Sequence, residues 1–202
     1  MQILLATGNI GKQREFARLL APLSTVTPAA LGLHLEVEES GATFAQNSML
    51  KARAFAQAAG LIALADDSGL EVSALGGAPG VLSARFGGPG LSDAQRWAFL
   101  LAELARLPEE TSRAARFRCC VVAAAADGRS CTAEGSCEGE IARQPSGADG
   151  FGYDPVFLLP EIGRTMAQIS ADHKNRISHR ALAMGALRPK LISTFPELSS
   201  DG

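Results

Sequence analysis

The sequence predicts an α/β fold: a mixed β-sheet with flanking helices. Three observations lead there. Short apolar runs bounded by turn residues alternate with stretches of helical period, and a long hairpin is set among them. No repeat, low-complexity tract or linker divides the 202 residues.

Taken in order, "QILLA" (2–6) reads as a buried strand. A helix follows from about Gly11, with Phe16, Leu19 and Leu20 at helical spacing and Pro22 near its end. "STVTP" is a weaker strand, and an acidic stretch follows at 35–41. "TFAQ" opens a second helix as a capping box: Thr43 caps, Gln46 reaches back, and Gly60 stops it. "LIALA" (61–65) is a buried strand ending in "DDSG", and "LEVSAL" is the next strand. A glycine-rich loop spans 76–90. "SDAQ" is a second capping box, opening a helix that carries Trp97, Leu100, Leu101 and Leu104. "ARFRCCVVAAAA" and "SCTAEGSCEGEIA" flank "DGR" as a hairpin. "PSGADGFGYDP" leads into the strand "VFLL". The last third is helix-rich, with Pro189 expected to kink or end its helix and 197–202 expected to fray.

Bulk properties narrow the partners. A net charge of −2 advertises no broad nucleic-acid or membrane surface, so any polyanion site must be a local pocket of Lys and Arg. Cys119, Cys120, Cys131 and Cys137 match no C-x-x-C ligand pair and read as reduced structural cysteines of a cytoplasmic protein. The N-terminus lacks a basic start, and the longest apolar run, 119–126, is too short to span a bilayer. The length suits one domain, 1–202, with two lobes.

"ATGNIGK" sets a glycine turn and a lysine between strand and helix. It is not a Walker loop: Gly8 and Gly11 are too close, and Gln13 stands where a magnesium-holding hydroxyl is needed. Its physics still suits a phosphate. Thr7 and Asn9 offer short polar groups, Gly8 and Gly11 let backbone N–H groups approach, and Lys12 lies in the first helical turn. The plain alternative is an ordinary strand–helix turn with a solvated lysine. Asp66 and Asp67 are expected just past a strand's carboxyl end, one facing a site and the other supporting the turn. With Glu38 and Glu39 they supply oxygen ligands suited to Mg²⁺. Later, Phe151 or Tyr153 offers a face to a base and Asp154 an acceptor. "DHKNRISHR" brings Lys174, Arg176, Ser178, His179 and Arg180 together in sequence. Core packing and a basic helix face are the plain readings of these two segments.

"ATGNIGKQREF", "EESGATF" with "KAR", "ADDSGLEVSALGGAPGVLSARF", "GFGYDPVF" and "ISHRALA" occur in this order. With them the whole chain resembles the inosine/xanthosine triphosphate pyrophosphatases, the non-canonical purine NTP pyrophosphatases. The resemblance implies an elongated α/β fold with two lobes around a nucleotide cleft. It also implies a Mg²⁺-dependent homodimer that splits ITP, dITP or XTP into monophosphate and pyrophosphate. By motif, Thr7, Gly8, Asn9, Ile10, Gly11 and Lys12 would hold the triphosphate, with Lys51 helping. Asp67 would be the catalytic acidic side chain, orienting or deprotonating water, and a metal ligand, with Glu39 the second ligand and Ser68 touching the nucleotide. Phe151, Gly152, Tyr153 and Asp154, with Lys174, His179 and Arg180, would form the base end. Gln46 stands where many relatives carry Glu, which weakens any metal role there and leaves its capping role intact. Three readings compete: a pyrophosphatase for modified pyrimidine nucleotides, a non-catalytic nucleotide sensor, and a phosphotransferase, which the failed Walker spacing disfavours.

Overall fold

The computed structural model describes residues 2–199. Seven strands form one mixed sheet in the order β2-β1-β3-β4-β5-β6-β7. β1 (Gln2–Leu5) runs parallel to both β2 (Ser24–Val26) and β3 (Ile62–Val72). β4 (Ala114–Ala124) and β5 (Ser130–Ile141) flank the hairpin turn, where the Ala125 N–H donates to the Arg129 carbonyl. β6 (Phe157–Leu159) and β7 (Arg164–Thr165) complete the sheet antiparallel. The two parallel pairs are joined through helices, as parallel pairing requires, and the tight turn after β4 makes a hairpin.

The chain divides into two compact units. One holds residues up to Asp67, Cys119–Gly135 and the segment from His179 onward; the other holds Ser68–Arg118 and Ser136–Ser178.

In the first unit, Ile3, Leu5, Ile62 and Leu64 project from the sheet into one core cluster. Phe16 and Leu20 of α1 (Ile10–Leu20) and Met184, Leu187 and Leu191 of α5 (His179–Thr194) fill it. Burying each such side chain contributes about 1.5–3 kcal/mol. α2 (Phe44–Ala59) begins at Thr43, whose hydroxyl accepts the Gln46 N–H. Gln46 reaches back as expected, but to the Ala42 N–H, one residue before the cap. Gly60 ends the helix at φ 65, a left-handed conformation that glycine adopts without a Cβ clash. Pro189 lies inside α5, which continues to Thr194. Having no N–H, Pro189 leaves the Gly185 carbonyl, four residues earlier, without its helical donor.

In the second unit, α3 (Asp93–Ala105) starts at the expected capping box: Ser92 accepts the Gln95 N–H, and Gln95 accepts the Ser92 N–H. Leu100 and Leu104 pack with Leu70, Val72, Phe117, Ile141, Tyr153 and Phe157. α4 (Ala171–Ile177) is short and ends at Ser178, whose backbone is extended.

Two expectations need correction. β3 does not stop at Ala65; it runs unbroken through "DDSG" to Val72, so Asp66 and Asp67 are mid-strand residues rather than turn residues. Polar residues usually mark a turn because they seek water, and here their partners are protein groups. The second correction is at the C-terminal tail. Residues 197–199 fall in a short 3₁₀ helix, Pro196–Ser199, with Leu198 buried and Glu197 paired to Arg129 at 2.9 Å. Residues 200–202 of the expected frayed tail lie outside the described residues.

Candidate active site

Successive strand residues point to opposite faces. Asp66 therefore shares the face of Ile62 and Leu64, toward α1 and α5, and Asp67 takes the opposite face, toward α2. Each carboxylate finds a different environment.

Asp66 is 1% exposed. Lys12 approaches it at 3.0 Å and Arg180 at 3.4 Å, and Arg180 also holds Glu15 at 3.1 Å. Burial alone would raise the Asp66 carboxyl, but Lys12, Arg180 and Lys51 outweigh it and hold the group well below the usual carboxylate range. A buried carboxylate is thus kept ionised by two cations from distant helices.

Asp67 is 6% exposed. Its Oδ2 accepts a hydrogen bond from Asn47 Nδ2 at 3.0 Å, and its N–H donates to Ser48 Oγ at 2.6 Å. Burial pushes its carboxyl above the usual range; Lys51 and the Asn47 bond pull it back, and Glu39 adds to the rise. A carboxylate made more basic in this way is suited to accept a proton. Lys51 lies one turn beyond Asn47 on α2 and pairs with Glu39 at 2.8 Å. Burial lowers the Lys51 ammonium, but Asp66, Glu39 and Asp67 more than compensate and raise it. Glu38, by contrast, is exposed.

The loop ahead of α1 organises itself. Asn9 caps the helix by accepting the Lys12 N–H, the Asn9 N–H donates to Thr7 Oγ1, and Gln13 Nε2 donates to the Thr7 carbonyl. Gly8 has open space where a side chain would stand, and Ile10 is exposed. A groove of about 800 Å³ lined by Thr7, Gly8, Ile10, Gln13, His34 and Phe55 opens beside it.

The second unit carries its own cluster. Asp154, buried, accepts from Lys174 at 2.5 Å and from the Phe151 N–H at 2.8 Å. The Lys174 ammonium also stands 4.9 Å from the Phe151 ring centroid, a cation–π distance. Gly150 has φ 80, and a Cβ there would run into the Asp154 carboxylate, so the tuck requires glycine. The Gly152 N–H donates to Asp93. Tyr153 is buried with its hydroxyl on the Ser83 carbonyl, so of the two aromatics Phe151 is the one with an accessible ring. Ser68 is half-buried within β3.

In the first unit the structure therefore gathers Glu39, Lys51 and Asp67 beside α2, and Lys12 and Arg180 around Asp66; in the second it gathers Phe151, Gly152, Asp154 and Lys174. The run "KNRISHR" does not act as one patch. The extended Ser178 separates it, Lys174 turns to Asp154, and Arg180 turns to Asp66. His179 is buried at the first residue of α5, where its carbonyl lies against Gly135. Sequence reasoning missed Asn47, Ser48 and Glu15. A signal existed for the first two: they occupy the buried stripe of α2 with Phe44, Ala52 and Phe55, where polar residues need a reason.

The Ham1 family model matches residues 3–190. The chain belongs to the Ham1 family. A dITP/XTP pyrophosphatase of Desulforamulus reducens is 50% identical over 186 residues, 91% of this chain and 92% of its own. One from Thermus thermophilus is 50% identical over 189 residues, 93% and 90% of the two chains. The solved Ham1 protein of Coxiella burnetii superposes with a TM-score of 0.85 at 38% identity, covering 96% of this chain and 99% of that one. A Ham1 fold thus accounts for the mixed sheet and its flanking helices. No helix among the described residues is long and apolar enough to cross a membrane.

Whether the site residues fit a divalent cation can be tested on their donor set. Among the described residues, no three His, Cys, Asp or Glu side chains form a ready-made cage. Mg²⁺ does not need one: it is commonly held by one or two carboxylates plus substrate phosphates and water. Glu39 and Asp67 offer oxygen donors only, and α2 holds one through Lys51 and the other through Asn47, so they fit.

Proposed function

We propose that this chain hydrolyses non-canonical purine nucleoside triphosphates, dITP, XTP and ITP, to the monophosphate and pyrophosphate. The reading rests on one observation above the others: the buried Asp67 carboxylate, fixed by Asn47 of α2, faces the helix whose Lys51 holds Glu39. It is supported by the family's named members.

In this reading Lys12, Lys51 and the backbone N–H groups at Gly8–Gly11 take the triphosphate charge. Asp67 accepts the proton of the water that attacks the α-phosphorus, while the bond from that phosphorus to the bridging oxygen breaks and pyrophosphate leaves. Glu39 and Asp67 would hold Mg²⁺, which when bound neutralises phosphate oxygens and acidifies water. Phe151 offers a face to the purine. Lys174 and backbone N–H groups offer donors to the 6-keto oxygen of hypoxanthine and xanthine. Adenine presents an amino donor there instead and leaves such donors unpaired. We assign the active form as a cytoplasmic homodimer, checked by sedimentation.

The deciding assay incubates the protein and Mg²⁺ with dITP, XTP, ITP, GTP, ATP and modified pyrimidine triphosphates, measuring pyrophosphate and orthophosphate separately. Pyrophosphate from the deaminated purines is the expected result. Preference for ATP or pyrimidines, or orthophosphate as product, overturns the assignment.

A further inference from the structure

Asn47 stands 2% exposed on α2 and uses both ends of its amide. Its Nδ2 donates to Asp67 Oδ2 at 3.0 Å, and its Oδ1 accepts the Gly41 N–H at 2.8 Å. The orientation is fixed by its partners: an ionised carboxylate requires a donor and a backbone N–H an acceptor. The Gly41 contact leaves no slack. A Cβ on Gly41 would lie 2.6 Å from Asn47 Oδ1 and 2.7 Å from the Gln46 Cβ, so the chain approaches this closely only without a side chain. Gly41 closes the acidic stretch that carries Glu39 two residues earlier. Lys51, four residues after Asn47 on the same helical face, holds Glu39. Ser48 holds the Asp67 backbone N–H. One helix thus grips both acidic segments, each at a separate point.

We propose that Asn47 is a positioning residue: it ties the Asp67 carboxylate to the segment bearing Glu39 and so sets the spacing of the two carboxylates. The inference rests on Asp67 acting as proposed above. Asn47 touches neither substrate nor reacting atoms in this scheme; it acts through Asp67.

The test uses the full chain and five variants, Asn47→Ala, Asn47→Asp, Gly41→Ala, Asp67→Asn and the double variant Asn47→Ala/Asp67→Asn, with melting temperatures recorded for each. Pyrophosphate release from dITP with Mg²⁺ is expected to show kcat lowered about 10–100-fold in Asn47→Ala, the usual range for loss of a group supporting a metal ligand, with KM little changed. Asn47→Asp keeps the shape and the Gly41 bond but sets a carboxylate against Asp67, so it falls at least as far. Gly41→Ala leaves Asn47 in place but presses a Cβ on its amide and on Gln46, and lowers kcat in the same way. The affinity of nucleotide-free protein for Mn²⁺ weakens alongside. The double variant Asn47→Ala/Asp67→Asn turns over no more slowly than Asp67→Asn alone. Wild-type kcat and Mn²⁺ affinity in folded Asn47→Ala and Asn47→Asp overturn the inference, as does additive loss in the double variant. If Asp67→Asn itself retains turnover, the role proposed for Asp67 as base fails, and the Mn²⁺ affinities of the Asn47 and Gly41 variants then decide the inference alone.

Discussion

Two buried lysine–aspartate pairs, one in each unit, invite comparison. Lys12–Asp66 spans 3.0 Å and Lys174–Asp154 spans 2.5 Å. The chemistry is the same and the construction differs. Asp66 sits mid-strand and is shared between cations on two helices, so its neutralisation is wholly tertiary. Asp154 belongs to a loop that also binds its carboxylate through the Phe151 N–H, with glycine at 150 making the room. A carboxylate that joins distant elements is a fold constraint as well as a site constraint. One wrapped by its own loop can change its partner while the loop keeps its shape.

The largest expected effect tests the first half of that contrast. Asp66→Ala strands two cations near each other and should cost about 3–5 kcal/mol of stability by urea unfolding. A loss under about 1 kcal/mol would reverse the ranking of the two pairs and break the contrast. Lys174→Met should cost less, about 2–3 kcal/mol, because Asp154 keeps its backbone donor. Its distinguishing sign is kinetic: KM for dITP should rise with kcat largely retained.

A pH titration sharpens the comparison further. The Asp66 carboxyl is depressed below its ordinary value of 3.8 by its cations, despite burial. Its stabilisation is therefore complete above that value and is lost as pH falls through the lowered folded-state value. Stability of the wild type should decline with acid below about pH 4, and Asp66→Asn should flatten that limb in urea titrations. The smallest effects concern the helices beneath the two sites. Thr43→Ala and Ser92→Ala should each cost about 1 kcal/mol in thermal melts. Ser92→Ala should be the worse of the two, since the Gln95 side chain reaches Ser92 itself through both N–H and hydroxyl, whereas Gln46 bonds Ala42.

What the sequence made legible was what short-range chemistry decides. Thr43, Ser92 and Gly60 delimit their helices with groups only a few residues away, and all three were readable. The hairpin at Asp127–Arg129 was readable for the same reason. The course of β3 was not, because "DDSG" carries turn residues and the partner that lets Asp66 stay in a buried strand lies 114 positions away at Arg180. Site residues carried by motif were nameable, but their grouping was not. Lys174 and Arg180 are neighbours in sequence, and one extended residue, Ser178, sends them to different carboxylates. Asn47 was visible only as a polar residue on an apolar stripe, which says that a partner exists without saying which.

The unbroken course of β3 constrains how this gene can vary. Because side chains alternate, a one-residue insertion or deletion between Ile62 and Asp66 would flip both aspartates to the opposite faces: a deletion brings the proposed base to the position facing Lys12 and Arg180, and an insertion brings the salt-bridged carboxylate to the position facing Asn47. Point substitutions at Ala63 or Ala65 change volume and can be accommodated step by step; a change of length cannot, since every intermediate is inverted. This stretch should therefore be the segment most intolerant of indels, and scanning single-codon insertions across 62–67 and across the loop at 143–150 would measure that difference directly.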